Sequence, residues 1–142
     1  MPVTVVSATE PLTTACLGFD HVAATGNSER RTALAEAMRQ SRMSVALLDD
    51  TPVGYAVQAP WFFGVPFLEM LYVDARYRRR GLGDRMVADF EERFGPRLFT
   101  STNRSNQAMQ SLLERRAWKR CGTLDGLDEG DPEVFFNKIV HR

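Results

Sequence analysis

Hydrophobic and polar positions alternate in blocks along the chain. A β-branched run at residues 3–6 predicts a first strand. Over residues 11–41 the period becomes helical, with Ala33, Leu34, Ala37 and Met38 on one stripe. Gly26-Asn27-Ser28 divides this stretch into two helices, with Ser28 as the cap of the second. Apolar runs at 43–48 and 53–58 flank Asp49-Asp50-Thr51-Pro52 and predict a β-hairpin. Residues 59–66 read as an aromatic loop carrying Trp61, Phe62 and Phe63, and 67–73 as a strong strand. Residues 84–94 form an amphipathic helix with Met86, Val87, Phe90 and Phe94 on one face and Asp89, Glu91, Glu92 and Arg93 mostly elsewhere. Gly95-Pro96 ends it. A strand follows at 98–102. A second amphipathic helix covers 105–115, buried through Ala108, Met109, Leu112 and Leu113, with Asn103 or Ser105 as its cap. Residues 118–124 and 134–140 read as a closing strand pair around an acidic loop at 125–133. The order β-αα-βββ-α-β-α-β-β contains one strand–helix–strand unit, for which a right-handed crossover between parallel strands is expected.

Composition narrows the class. A chain of 142 residues that is 44% hydrophobic and 25% charged can bury a core as one domain, here taken as residues 1–142. The formal net charge of zero disfavours a nucleic-acid binder, although Arg76 and Arg78 to Arg80 form a local basic patch. Cys16 and Cys121 make no disulfide framework and lack zinc-ligand spacing, and His21 and His141 are far apart, so no metal is expected. Cys121 reads as a packed thiol in a strand. No apolar run is long enough to span a bilayer, and the first residues lack the basic and apolar regions of a signal peptide. A cytoplasmic protein without membrane or nucleic-acid partners is the expectation.

The chemistry concentrates in Leu71-Tyr72-Val73-Asp74-Ala75-Arg76-Tyr77-Arg78-Arg79-Arg80-Gly81-Leu82-Gly83. A strand runs into a short basic loop with two glycines, and a helix follows. A helix N-terminus offers unpaired N–H groups and partial positive charge, and glycines let the backbone curl around a phosphate. Flanking arginines add charge-assisted hydrogen bonds of roughly 1.5–3 kcal/mol each when well placed. A diphosphate is the natural guest, and a solvated basic turn the alternative. A P-loop is ruled out because Asp84-Arg85, not Lys-Ser/Thr, follow Gly83. A Rossmann loop would need a third glycine and a place at the first strand.

Arg78-Arg79-Arg80-Gly81-Leu82-Gly83 resembles the Arg/Gln-x-x-Gly-x-Gly/Ala signature of the GNAT acyltransferases, and Leu71-Tyr72-Val73 with Tyr77 is similar to what that family shows just before it. Asn106, Met109, Leu113, Ala117 and Trp118 resemble the family's Asn-x-x-Ala-x-x-x-Tyr…Gly-Phe segment. The resemblance implies a GNAT-type α/β (α+β) fold with a mixed, mostly antiparallel sheet, a splayed parallel strand pair and flanking helices. It implies transfer of an acetyl group from acetyl-CoA, as co-substrate, to a primary amine by direct attack in a ternary complex. The backbone of Leu71, Tyr72 and Val73 would pair with the pantetheine arm. Arg78, Arg79, Arg80, Gly81, Leu82 and Gly83, with the Asp84 amide, would hold the pyrophosphate, and Asn106 would contact the arm. Leu113 stands where the family carries a tyrosine acid, so no such acid is expected there. Ala117 and Trp118 replace Gly-Phe.

An alkylamine with a pKa near ~10 must lose a proton before it attacks a thioester. Glu69, in the strand leading to the loop, is the candidate base, set among apolar neighbours and working through a water; an edge-strand Glu reaching solvent or pairing with Arg is the alternative. Trp61, Phe62 and Phe63 are either walls of an acceptor pocket or ordinary packing aromatics. The acidic loop of Asp125, Asp128, Glu129, Asp131 and Glu133 either attracts a cationic amine or is simply solvated. Expected partners are a small-molecule amine or a protein amine, with a homodimer left open. A non-catalytic acyl-CoA-binding module is the competing class.

Overall fold

The computed structural model describes residues 2–141. Seven strands form a sheet in the order β1-β2-β3-β4-β5-β7-β6, antiparallel except for β4 and β5. The chain divides into two compact units, one running to Gln58 and resuming over Met70–Asp89, the other comprising Ala59–Glu69 and everything from Phe90 on.

In the first unit, β1 (Val3–Ser7), β2 (Met43–Leu48) and the start of β3 (Thr51–Phe62) pair antiparallel, with Val5 opposite Ala46 and Val45 opposite Tyr55. Cys16 from α1 (Glu10–Phe19) and Leu34 and Ala37 from α3 (Ser28–Arg39) pack on Val45, Tyr55 and Val57. The expected helical stretch at 11–25 is broken at Asp20, where α1 gives way to the single turn α2 (His21–Ala24). The Asp20 carboxylate caps α2 by accepting from the N–H groups of Val22 (2.9 Å) and Ala23 (3.3 Å), a local bond that competes with helix continuation. Asn27, not Ser28, caps α3, its Oδ1 accepting from Arg30 N at 3.0 Å.

In the second unit, the presumed loop at 59–66 is a hairpin. β3 runs to Phe62 and β4 (Val65–Val73) starts after the two-residue turn Phe63-Gly64. Both turn residues have positive φ, 53° and 77°, the twist that a tight hairpin needs. Pro60 and Pro66, which argue against strand in a sequence, sit inside the two strands. The β4–β5 pairing is parallel, Phe67 opposite Phe99 and Leu68 opposite Thr100, and the Thr100 hydroxyl donates to Leu68 O at 2.7 Å. β4 continues to Val73 beyond that two-rung ladder. β5 (Arg97–Asn103) also pairs antiparallel with β7 (Glu133–Ile139), which separates it from β6 (Lys119–Leu124).

Helix α4 (Leu82–Phe94) buries Met86, Val87 and Phe90 as its periodicity requires. Glu91, placed by the sequence pattern among the outward polar residues, is buried as well. It accepts from Arg116 Nε (2.8 Å) and Nη2 (3.1 Å), Trp118 Nε1 (3.0 Å) and Lys138 Nζ (2.8 Å). α5 (Gln107–Arg115) buries Leu113 and Gln110, while Ala108, expected inside, is exposed. Cys121 is exposed rather than packed, because it falls at a register shift in the outermost strand, every residue of which is exposed. No helix among the described residues is long and apolar enough to cross a membrane.

Candidate functional site

The basic loop is built in the first unit from the end of β4 upward. Asp74, 3% exposed, closes the strand: its N–H donates to Val53 O at 2.8 Å, and its carboxylate caps the 3₁₀ turn Ala75–Tyr77 by accepting from Arg76 N at 3.0 Å. The Arg76 guanidinium meets the same carboxylate at 2.7 Å. The Arg76 side-chain hydrogen bonds outweigh burial and hold the Asp74 carboxyl below its usual range. Next comes the turn itself, with Arg79 at φ 65° and Gly81 at φ 77°. Such left-handed positions flanking a helix start fold successive N–H groups into an anion-binding concavity. The first helical bond of α4 runs from Arg85 N to Gly81 O at 3.0 Å. The N–H groups of Leu82, Gly83 and Asp84 therefore precede the helix's own ladder. A Cβ built on Gly81 meets nothing within 4 Å, so the concavity is open there.

The arginines are held in place by rings. Arg78 Nε donates to Val73 O at 3.1 Å while its guanidinium lies 5.5 Å from the Tyr72 ring centroid, and Arg80 lies 5.3 Å from that of Tyr77. Tyr72 stacks on Tyr55 (5.7 Å, 9°) and Phe19 (6.2 Å, 22°), and its hydroxyl accepts from His21 N at 3.1 Å. Beneath it, the buried Tyr55 hydroxyl donates to Asp20 Oδ2 at 2.5 Å, and Arg30 Nη1 donates to that carboxylate and to Tyr55, both at 2.9 Å. Burial and the hydrogen bond to Asp20 push the Tyr55 hydroxyl's pKa far up, so it stays a donor. Gly54 lets β3 approach this strand end: a Cβ there would stand 2.8 Å from Tyr72 O and 3.1 Å from Met86 Sδ. Sequence reasoning did not single out Asp20, Arg30, Tyr55 or Gly54. Their spacing carries no periodic signal, and only the folded register brings them together.

Glu69 and Asn106 belong to the second unit. Glu69 is exposed on β4, two residues before Leu71, and not enclosed by the apolar neighbours expected of it. Asn106 caps α5, its Oδ1 accepting from Met109 N at 3.1 Å. That corrects the capping assigned to Asn103 or Ser105, whose side chains turn to the acidic loop. Asn103 Nδ2 reaches Asp128 Oδ2 (2.7 Å), and Ser105 Oγ reaches Asp131 Oδ2 (2.6 Å). Hydrogen bonds from Ser105 hold the Asp131 carboxyl below its usual range. Part of the acidic loop is thus braced against the start of α5 rather than simply solvated. Leu113 is fully buried. No cluster of three or more His, Cys, Asp or Glu able to hold a metal occurs among the described residues.

A strand, an open turn with left-handed residues at Arg79 and Gly81, two ring-braced arginines and a helix N-terminus thus follow one another along the chain. The chain belongs to the acetyltransferase (GNAT) family, whose model matches residues 15–118. Among solved structures it is similar to a GNAT-family acetyltransferase from Bacillus cereus, at 26% identity over 100% of both chains with a TM-score of 0.90. It is also similar to ribosomal-protein-alanine N-acetyltransferase from Brucella melitensis, at 25% identity over 96% of this chain and 99% of that one, TM-score 0.75. A candidate streptothricin acetyltransferase from Bacillus anthracis, solved in complex with acetyl coenzyme A, matches 70% of this chain and 62% of its own at 21% identity, TM-score 0.60. A comparison with curated proteins found no match.

Proposed function

We propose that this chain is an N-acetyltransferase that moves an acetyl group from acetyl-CoA to a primary amine by direct attack in a ternary complex. The observation that carries this reading is the open nest at Arg79–Gly81 feeding the N-terminus of α4, inside a chain of the GNAT family. The residues fit the co-substrate. The amides from Arg79 to Asp84 and the arginines Arg78, Arg79 and Arg80 suit a diphosphate, and the backbone of Leu71 to Val73 suits the amide-bearing pantetheine arm. Asn106, whose Oδ1 caps α5, is assigned to that arm by the family resemblance alone.

Acetyl-CoA supplies the activated thioester. As the amine nitrogen bonds to the acetyl carbon, the carbon–sulfur bond breaks and CoA leaves as a thiolate. The amine's proton passes to Glu69 or a water that Glu69 holds. No side-chain acid acts from Leu113. A thiol pKa near ~8.5 makes the thiolate a fair leaving group without one. The test is Gly81→Asp, which sets a side chain and a negative charge where the diphosphate is expected. Calorimetry should show CoA affinity falling by at least ~10-fold, the loss of about one charge-assisted hydrogen bond. Unchanged affinity in the folded variant would overturn the assignment.

A further inference from the structure

We infer that the acceptor is an amine with a flat or extended apolar body, seated on the aromatic sheet face of the second unit; this rests on the N-acetyltransferase reading above. Phe62 lies 4.7 Å from Phe67, 5.3 Å from Phe99 and 5.9 Å from Phe135, ring centroid to centroid. The register Phe67–Phe99 and Ser101–Phe135 puts these side chains on one face of β4, β5 and β7. Leu98, Thr100, Val134 and Phe136 on the other face are buried, and there Lys138 meets Glu91 of α4 and Arg120 meets Gln110 of α5. All four phenylalanines of the aromatic face are only half-buried. Four rings linked through Phe62 form a continuous apolar floor that suits a hydrocarbon.

Charge orients the guest. Strand alternation puts Glu69 on the same face as Phe67, about 7 Å further along β4. Glu133, opposite Asn103, stands at the same end of β5, and its carboxylate accepts from Ser101 Oγ at 2.7 Å. The other end of β5 carries Arg97. An ammonium is therefore drawn to the Glu69 end, from which β4 runs directly into Leu71, while an apolar body lies back over Phe67, Phe99 and Phe135. A short hydrophilic amine leaves that floor uncovered. A polyamine places its further charges over apolar rings and toward Arg97.

The experiment follows loss of the acetyl-CoA thioester by the purified full chain with 2-phenylethylamine, hexylamine, ethanolamine and spermidine. The first two should exceed the last two in kcat/KM by at least ~10-fold, the usual value of filling an apolar subsite. Phe135→Ser should collapse that ratio to about two-fold while CoA affinity by calorimetry is unchanged, because Phe135 lies outside the phosphate loop. Phe99→Leu, which keeps the volume, should narrow it less. Equal turnover of all four amines would overturn the inference and leave the transferase reading intact, as would Phe135→Ser slowing all of them alike. A concentration-dependent dimer in sedimentation that Phe135→Ser dissolves would overturn it too, by giving the face to a second copy. CoA binding without consumption of any amine would remove the transferase reading and this inference together.

Discussion

The Glu91 cluster is the interaction most open to a quantitative test, because one carboxylate terminates at least four hydrogen bonds. Arg116, Trp118 and Lys138 all donate to it at 2.8–3.1 Å, and its side chain is 8% exposed. Truncating it leaves two cations and an indole N–H with their shared acceptor gone. Removing one partner of a buried pair costs about 3–5 kcal/mol. A chain of 142 residues unfolds with an entropy of about 0.3 kcal/mol/K, so Glu91→Ala should melt about 10–17 °C lower. Burial raises the Glu91 carboxyl's pKa, but the hydrogen bonds from Arg116, Lys138 and Trp118 outweigh it and leave the folded pKa below the usual carboxylate value. A depressed folded pKa adds stability above the unfolded value of about 4.3 and loses it as pH falls through the folded one. Urea denaturation followed by circular dichroism should therefore show a wide gap between wild type and Glu91→Ala near neutral pH, closing in acid. A gap under about 1 kcal/mol, or one as wide in acid as at neutrality, would refute the reasoning.

Two further expectations come from contacts already described. Gly54→Ala forces a methyl against a backbone carbonyl at 2.8 Å, so denaturant titration should show a loss of about 1–3 kcal/mol, with weaker CoA binding if the Tyr72 backbone pairs with the pantetheine arm as proposed. Burial first, and then Asp20, pushes the Cys16 thiol up to about 12, whereas Cys121 is exposed. Iodoacetamide should alkylate Cys121 alone in the folded protein, read by peptide mass spectrometry, and Cys16 only after unfolding.

Residues with strong periodicity and clear stops were legible in the sequence. The helix over residues 84–94 and the strand over 67–73 were found within two residues of their ends, and the strand–helix–strand unit did yield parallel strands. The strand–turn–helix course of the basic loop was legible for a different reason: glycines and arginines between a strand and a helix are a local signal, needing no tertiary knowledge. What failed was non-local. Pro60 and Pro66 hid a hairpin whose strands are stabilised by pairing rather than by propensity. Glu91 lay outside the apolar stripe of its helix, and only Arg116, Trp118 and Lys138, 25 to 47 residues away, make its burial affordable. Asp20 and Tyr55, 35 residues apart, carry no pattern that announces their bond. Both networks are long-range pairings of polar groups, which periodicity reads as surface.

The role given to Glu69 is decided by protons rather than by fold. At neutral pH an alkylamine with a pKa near ~10 is about one part in a thousand neutral, so some group or solvent must take a proton before attack. Glu69 is exposed on the strand that runs into Leu71, so solvent reaches it, and a water held between carboxylate and amine fits better than direct contact. If Glu69 positions that water, Glu69→Gln should keep CoA affinity and lower kcat by about 10²–10⁴-fold, the usual contribution of a general base. The deficit should shrink as pH rises toward the amine's pKa, because a growing share of acceptor then arrives already neutral. A merely structural glutamate predicts something different: a loss that is the same at every pH, or one that appears in CoA affinity. Leu113→Tyr, at a fully buried position, should cost about 1–3 kcal/mol of stability but leave kcat of the folded enzyme little changed, since thiolate departure does not wait for an acid in this scheme. A folded Glu69→Gln enzyme whose pH–rate profile superimposes on that of the wild type, with the acceptor it turns over best, would assign the proton to bulk water and leave Glu69 as a charge that attracts the ammonium.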